Sequence, residues 1–262
     1  MKALRFCTLI AAAACLMTPV VFGQRMFGGG SRDLGVSEMA KIFGKNQAFT
    51  ATAEVTVLDK QHGTPMTMET QYAFLKGNVR TDLDMATMKG TAMPPQAVAQ
   101  MKAMGMDHTV NIFRGDKKLM YMIYPGLKSY CVIDTTMTPG ADKPEEKEPK
   151  IETTALGKET VDGHPCVKNK ITITSGDGKQ QDIIAWQASD LNDFPIKTEM
   201  VAGNATITTH FTDIKMTAPD ASLFDPPADY KKYDSIQELM MASMGAMRGG
   251  MPQRPTPPQG GN

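Results

Sequence analysis

The chain has 262 residues with 28 basic and 28 acidic side chains, so it is neutral as written. That balance excludes a nucleic acid or an anionic membrane surface recruited by bulk charge alone. The length suits one large all-β domain or two small ones.

Residues 1–23 read as a secretion signal. Lys2 and Arg5 form a positive n-region, Cys7 to Met17 is an almost unbroken apolar stretch, and Pro19 breaks it. Val21-Phe22-Gly23 places short residues where a signal peptidase reads, which predicts cleavage after Gly23 and a periplasmic or otherwise exported product. The stretch is too short for a permanent membrane anchor. Ala12-Ala13-Ala14 before Cys15 also fits a lipoprotein box, but cutting there would leave Leu16, Met17, Val20 and Val21 apolar without reason. Losing Lys2 and Arg5 takes the net charge from zero to about −2. Cys131 and Cys166 then remain, an even number in an oxidising compartment, and are expected to pair. In the chain-entropy model such a bridge would contribute roughly 3–4 kcal/mol. The alternative is two buried free thiols, since spacing alone does not establish geometry.

Residues 24–47 are expected to be a flexible leader with Gly28-Gly29-Gly30-Ser31, followed by a short helix capped by Ser37 and stopped by Gly44. Met39, Ile42 and Phe43 lie on one side of that helix. The period then changes to two. Phe49, Ala51, Ala53, Val55 and Val57 alternate with Thr50, Thr52, Glu54 and Thr56, which predicts a strand with one face buried. Met66, Met68, Tyr72 and Phe74 continue the pattern, and Gly77-Asn78 turns the chain into Val79, Thr81, Leu83 and Met85. Pro94-Pro95 opens a helix in which Met93, Ala97, Met101 and Met104 recur at helical spacing. Strands resume at Thr109 to Arg114, Lys118 to Tyr124 and Lys128 to Asp134. Residues 137–150, densest in acid and proline from Pro139, read as a solvated loop within the same domain.

The second half repeats the meander. Val167, Asn169, Ile171 and Ile173 alternate with Lys168, Lys170, Thr172 and Thr174, and Gly176-Asp177-Gly178 signals a hairpin. Ile183 to Trp186, Phe194 to Val201 and Ala205 to Met216 follow, with Gly203-Asn204 turning the last pair. A phase shift between Phe211 and Ile214 predicts a bulge. The pattern totals about eleven strands. A helix over 234–248 precedes a Gly/Pro/Gln tail, 249–262, expected to be disordered.

Enzymatic signatures are missing: no nucleophile elbow, phosphate-cradling loop, zinc-spaced cysteine pair or HExxH. The expectation is therefore a protein that is not an enzyme and uses no cofactor or metal. His62, His108, His164 and His210 are scattered, and His164-Pro165-Cys166 makes no metal site once the cysteine pairs. Arg114-Gly115-Asp116 matches an adhesion tripeptide but stands between two strands, where turn chemistry explains it. Asn204-Ala205-Thr206 is a glycosylation sequon on a hairpin. Methionine is the anomaly, with 22 residues against ten phenylalanines, clustered from Met85 to Met106 and from Met240 to Met251. Three readings stay open: gap-filling core, an adaptable lid over a greasy ligand, and soft Cu(I) binding.

From Gly157 to Cys166 a GKETVDGHPC run leads into a strand, a hairpin and Trp186. Asp190-Leu191 through Phe194-Pro195-Ile196-Lys197, then Pro219 to Phe224, Pro226-Pro227 and Tyr230 complete the set, with the Tyr124-Pro125 to Tyr130 hairpin upstream. These residues resemble a branch of exported bacterial domains allied to the LolA/LolB-like lipoprotein-carrier superfamily. The resemblance covers about 48–233 and rests on turns and strands, not on chemistry. It implies a mainly β (α+β) fold: a strongly curved antiparallel sheet forming an incomplete barrel, with a short helical lid and terminal helices. The implied function is to hold a lipid or acyl chain, such as that of a lipoprotein, on the concave face. The lining expected is Phe49, Val55, Tyr72, Phe74, Met101, Met104 and Trp186. Partners would be that hydrophobic ligand and transient envelope or membrane contacts. The alternatives are a Met-rich copper binder and a structural cell-envelope protein.

Overall fold

The computed structural model describes residues 42–43, 45–59, 63, 65–90, 95–135, 150–174, 178 and 180–249. The expected signal and its cleavage site, the glycine leader, the Ser37 cap, the Gly44 stop, His62, the acidic run before Lys150, Gly176-Asp177 and the 250–262 tail lie outside these residues.

Period-two segments of β-branched and aromatic residues form one twelve-stranded sheet. Its strands are β1 (Ala48–Asp59), β2 (Pro65–Leu75), β3 (Asn78–Asp84), β4 (His108–Arg114), β5 (Leu119–Tyr124) and β6 (Ser129–Asp134). They continue as β7 (Lys150–Val161), β8 (His164–Thr174), β9 (Gln180–Ala188), β10 (Phe194–Ala202), β11 (Ala205–Lys215) and β12 (Lys231–Tyr233). The spatial order is β12-β6-β5-β4-β3-β2-β1-β11-β10-β9-β8-β7, and the curved sheet stays open between β12 and β7. Neighbours are antiparallel except β12, which runs parallel to β6.

Two meanders are thus joined by β1 against β11, where the expected bulge appears. Thr50 faces Lys215 and Thr52 faces Thr212, with Asp213 at φ +50°. The β2–β3 hairpin turns at Lys76-Gly77, one residue before the expected position. Both residues have positive φ, as a two-residue hairpin loop requires, and Asn78 already pairs with Leu75. The sheet has twelve strands against about eleven in the sequence count, and β7 and β12 are the two whose stretches show no strand pattern. β7 is exposed along nearly its whole length and so carries no apolar alternation, while β12 is three residues long.

Register assigns every paired residue to a face, because directly opposed residues point the same way. One face carries Ile171, Ile183, Met200, Ile207, Val57, Met66 and, two residues along, Ala185, Val55 and Met68. It continues through Phe49, Phe74, Val79 and Phe113 to Met122 and Tyr124. We call this the Phe49 face. The other face carries Glu54, Glu69, Arg80, Asp82, Lys168, Lys170, Lys197, Glu199 and His210. Near β4 and β5 it also has an apolar cluster of Val110, Ile112, Tyr121 and Ile123, closed over by Phe224. Arg114 fastens that cover, donating to Asp225 at 2.5 Å and to the Phe224 carbonyl at 3.3 Å. The same guanidinium forks onto Asp116 at 2.8 Å, and this hydrogen bond holds the Asp116 carboxyl down to about 2. The Arg-Gly-Asp tripeptide is therefore a structural clamp on a turn.

Helix α1 (Pro95–Ala103) carries the expected Ala97 and Met101, while Met93 and Pro94 lie outside the described residues. It ends in a Schellman arrangement: Gly105 N–H donates to Lys102, Met106 N–H donates to Met101, and Gly105 has φ +67°. Gly105 lies directly on Gly126 of the β5–β6 turn, where an added Cβ on Gly126 would stand 2.5 Å from the Gly105 carbonyl oxygen. Helix α2 (Ile236–Gly249) begins with the Ser235 hydroxyl accepting from Glu238 N–H at 3.1 Å, and buries Leu239 against Met106 and Tyr124.

Cys131 and Cys166 are both buried and free, so the expected disulfide is not formed. Cys131 is on β6 and Cys166 on β8, with eight strands between them in the sheet order. A disulfide needs Cα atoms within about 7 Å. Cys166 instead donates to the His164 carbonyl, and burial pushes both thiols upward in pKa.

Gly126→Ala is expected to destabilise the fold by about 1–3 kcal/mol, because backbone, not a flexible side chain, must give way. A lowered urea midpoint at unchanged m-value is the measurement, and an unchanged midpoint contradicts the contact. For the cysteines, alkylation of unfolded, unreduced protein should label both Cys131 and Cys166, and alkylation of native protein should label neither. A cross-linked peptide in the mass spectrum would show that the thiols meet.

Candidate functional site

Two of the expected lining residues turn out to be core. Phe49 and Phe74 stack at 5.3 Å, and Phe43, Phe194 and Phe211 close around them with centroids 4.7–5.9 Å apart. Offset and edge-on pairs of this kind fill space densely. Phe49 is fully buried by them. Tyr72 joins at the rim, edge-on to Phe211 at 5.4 Å, and burial pushes its phenol up to about 12.

What the Phe49 face leaves open lies beyond that cluster. Val55, Val57, Leu83, Met200 and Ile207 are half-buried, and Val57, Ile207 and Met200 form one row across β1, β11 and β10. At the far end Met104, Met106, Met122 and Met240 gather with Tyr124, Leu127 and Leu239. Met104 is thus brought together with α2 and not with the aromatic cluster. Met101 is buried in α1, away from Phe49's cluster. The sequence placed the Met93–Met104 helix as a lid. In the structure α2, from the other end of the chain, supplies the larger apolar contact.

Trp186 packs in the cluster of Phe49, yet register sets it on the opposite face, between Lys168 on β8 and Lys197 on β10. Their ammonium groups stand 4.6 and 4.7 Å from the ring centroid, and the indole N–H donates to Glu159. A ring held by two cations is satisfied within the fold. Three histidines meet carboxylates: His108 with Asp82, His164 with Asp190 at 2.7 Å, and His210 with Asp162 at 2.5 Å. Among the described residues no three His, Cys, Asp or Glu side chains gather as a metal site.

The Phe49 face has an electrostatic character that no single strand reveals. From β8 across to β6, paired positions on this face carry no Lys, Arg, Glu or His, and Asp59 at the end of β1 is the lone acid among them. Charges on those strands project from the other side. A cavity of about 490 Å³ lies at β9 and β10, lined by Gln180, Gln181, Asp182, Ile184, Glu199, Met200 and Val201, and it touches the open row only at Met200. Its lining mixes polar and apolar side chains and includes none of the expected lining residues. No helix of the described residues is long and apolar enough to cross a membrane.

No curated protein matches the sequence. Among solved structures, a LolA superfamily protein from Nitrosomonas europaea is 11% identical, with 72% of this chain and 96% of that one covered at a TM-score of 0.34. The Mycobacterium tuberculosis lipoprotein LppX is 10% identical, covering 70% and 93% at 0.36, and LprF from Mycobacterium bovis is 15% identical, covering 74% and 97% at 0.34. Superpositions this loose carry no statement about ligand or partner. The family model of DUF4412, a domain of unknown function, matches residues 56–194, just over half of the chain and most of both meanders. The chain belongs to the DUF4412 family.

Proposed function

We propose that this chain is an exported, non-enzymatic binding protein that holds the apolar chain of an amphiphile against its Phe49 face. The observation that carries this reading is the separation of character between the two faces. Ten strands in register expose a side free of charge but for Asp59, with Val55, Val57, Leu83, Met200 and Ile207 half-buried on it. Apolar surface left in contact with water is costly, and a ligand chain laid along that row removes it. A dozen methylenes contribute roughly 10 kcal/mol before the cost of association, which leaves room for micromolar binding. The methionines at the α2 end repack around chains of different length with little strain, because Met is unbranched. A lipoprotein's acyl chain is one ligand of this kind.

The test is displacement of a fluorescent acyl probe from the purified protein, together with extraction and mass analysis of co-purifying lipid. Val55→Asp puts a charge in the open row and should weaken probe binding by tenfold or more, given the cost of burying an unpaired carboxylate. Leu58→Asp, on the same strand but exposed on the other face, should leave binding as it was. Absence of saturable probe binding, or equal effects of the two substitutions, ends the reading.

A further inference from the structure

The neutral face is not uniformly apolar. On β2, β3 and β4 it carries five hydrogen-bonding side chains in two adjacent rows. Tyr72, Thr81 and Asn111 face one another across the three strands, and Thr70 and Thr109 flank Leu83 in the next row. Thr70, Thr81 and Thr109 are all more than nine-tenths buried, at 3, 6 and 9% exposure. No side-chain hydrogen bond joins any of the five to another described residue. Among the described residues only Asn78 Oδ1 is both fully buried and unpartnered, so the hydroxyls and the amide of these five still reach open space on the face, where water or a ligand supplies the partner that such groups need. A hydroxyl also offers little to a hydrocarbon chain, and β-branched Val would fill the same space at no polar cost. The charged groups of these strands, Glu69, Arg80, Asp82 and His108, point the other way, where Asp82 accepts from Arg80 and meets His108 while Glu69 accepts from Gln71. The patch therefore has donors and acceptors but nothing to neutralise an anion.

Resting on the binding role proposed above, we infer that the Tyr72–Thr81–Asn111 patch receives an uncharged hydrogen-bonding group, an ester or amide, carried by the bound amphiphile. Its apolar chain then runs along the half-buried Val55 and Val57 side of the same face, which follows directly in the register of β1 and β2. The phenol of Tyr72, neutral at pH 8 as any phenol is, serves as a donor to a carbonyl oxygen, as do the threonine hydroxyls. A carboxylate or phosphate placed there would be desolvated without a counter-charge, which the patch disfavours.

The experiment is competition against a fluorescent acyl probe at pH 8 by three compounds of matched chain: methyl dodecanoate, dodecanoate and tridecane. The ester should compete best. Thr81→Val and Tyr72→Phe keep shape and remove hydroxyls, so together they should weaken the ester by about tenfold, the scale of two neutral hydrogen bonds, and leave tridecane unaffected. An unchanged urea midpoint shows that the variant folds. Thr81→Ser, which keeps the hydroxyl, should retain ester affinity. If dodecanoate competes as well as the ester, or if the substitutions change ester and tridecane alike, this inference is overturned while the acyl-binding role survives. If the wild-type protein does not bind the probe at all, both fall together.

Discussion

A sheet of twelve strands, antiparallel except at β12, that does not close has two faces and two edges to reconcile with water. The chain meets the first demand by sorting charge. Along β1, alternate positions send Glu54 to one side and Ala53 and Val55 to the other, and the same alternation repeats on each neighbour in register. A slip of one residue between any two strands would push charges such as Arg80 or Lys197 onto the neutral face. The bulges at Asp213 and between Pro195 and Lys197 are where the pairing adjusts, near the aromatic cluster where β1, β10 and β11 converge.

The edges are treated differently from each other. β12 is three residues long and is followed at once by α2, which packs against β6 and buries Leu239. β7 is long and exposed, but it carries Lys150, Glu152, Lys158 and Glu159 and a bulge at Gly157, with φ +149°. Charge and irregularity on an edge strand oppose pairing with another copy. The β7–β8 turn is also anchored, since its Asp162 meets His210 on β11 and Glu159 accepts from Trp186. These contacts bend the hairpin toward the charged face, and they account for Trp186 in terms of packing and charge.

Coverage of the Phe49 face comes from residues distant in sequence. Ile42 joins the β8–β9 isoleucines and Phe43 joins the aromatic cluster, while Met104, Met106 and α2 cover the β5–β6 end. Between these covers the half-buried row and the threonine patch remain. A binding surface so placed depends on the sheet for its curvature and on Ile42-Phe43 and α2 for its limits. The glycine contact of Gly105 on Gly126 fixes where α1 leaves the sheet, because any side chain there would hold the two turns apart.

The alternation of Phe49 through Val57, of Met66 through Phe74 and of Val167 through Ile173 is local, so the strands, the meanders and the bulge near Asp213 were legible in the sequence. Each strand's pattern reports its own burial, and burial repeats every second residue. β7 was illegible for the same reason: an edge strand with both sides in water has no apolar period to show. Pairing partners at long range were decided only in three dimensions. Cys131 and Cys166 suggested a bridge by number, but sheet order put eight strands between them. Phe49, Phe74 and Trp186 looked like lining because they are large and apolar, yet cross-strand neighbours enclosed the first two and two lysines claimed the third. The sequence by itself determined which residues share a face along each strand. Only the tertiary structure decided which strands stand side by side, and hence that ten of them present one neutral surface, because register between distant segments is set by their contacts and not by either segment alone.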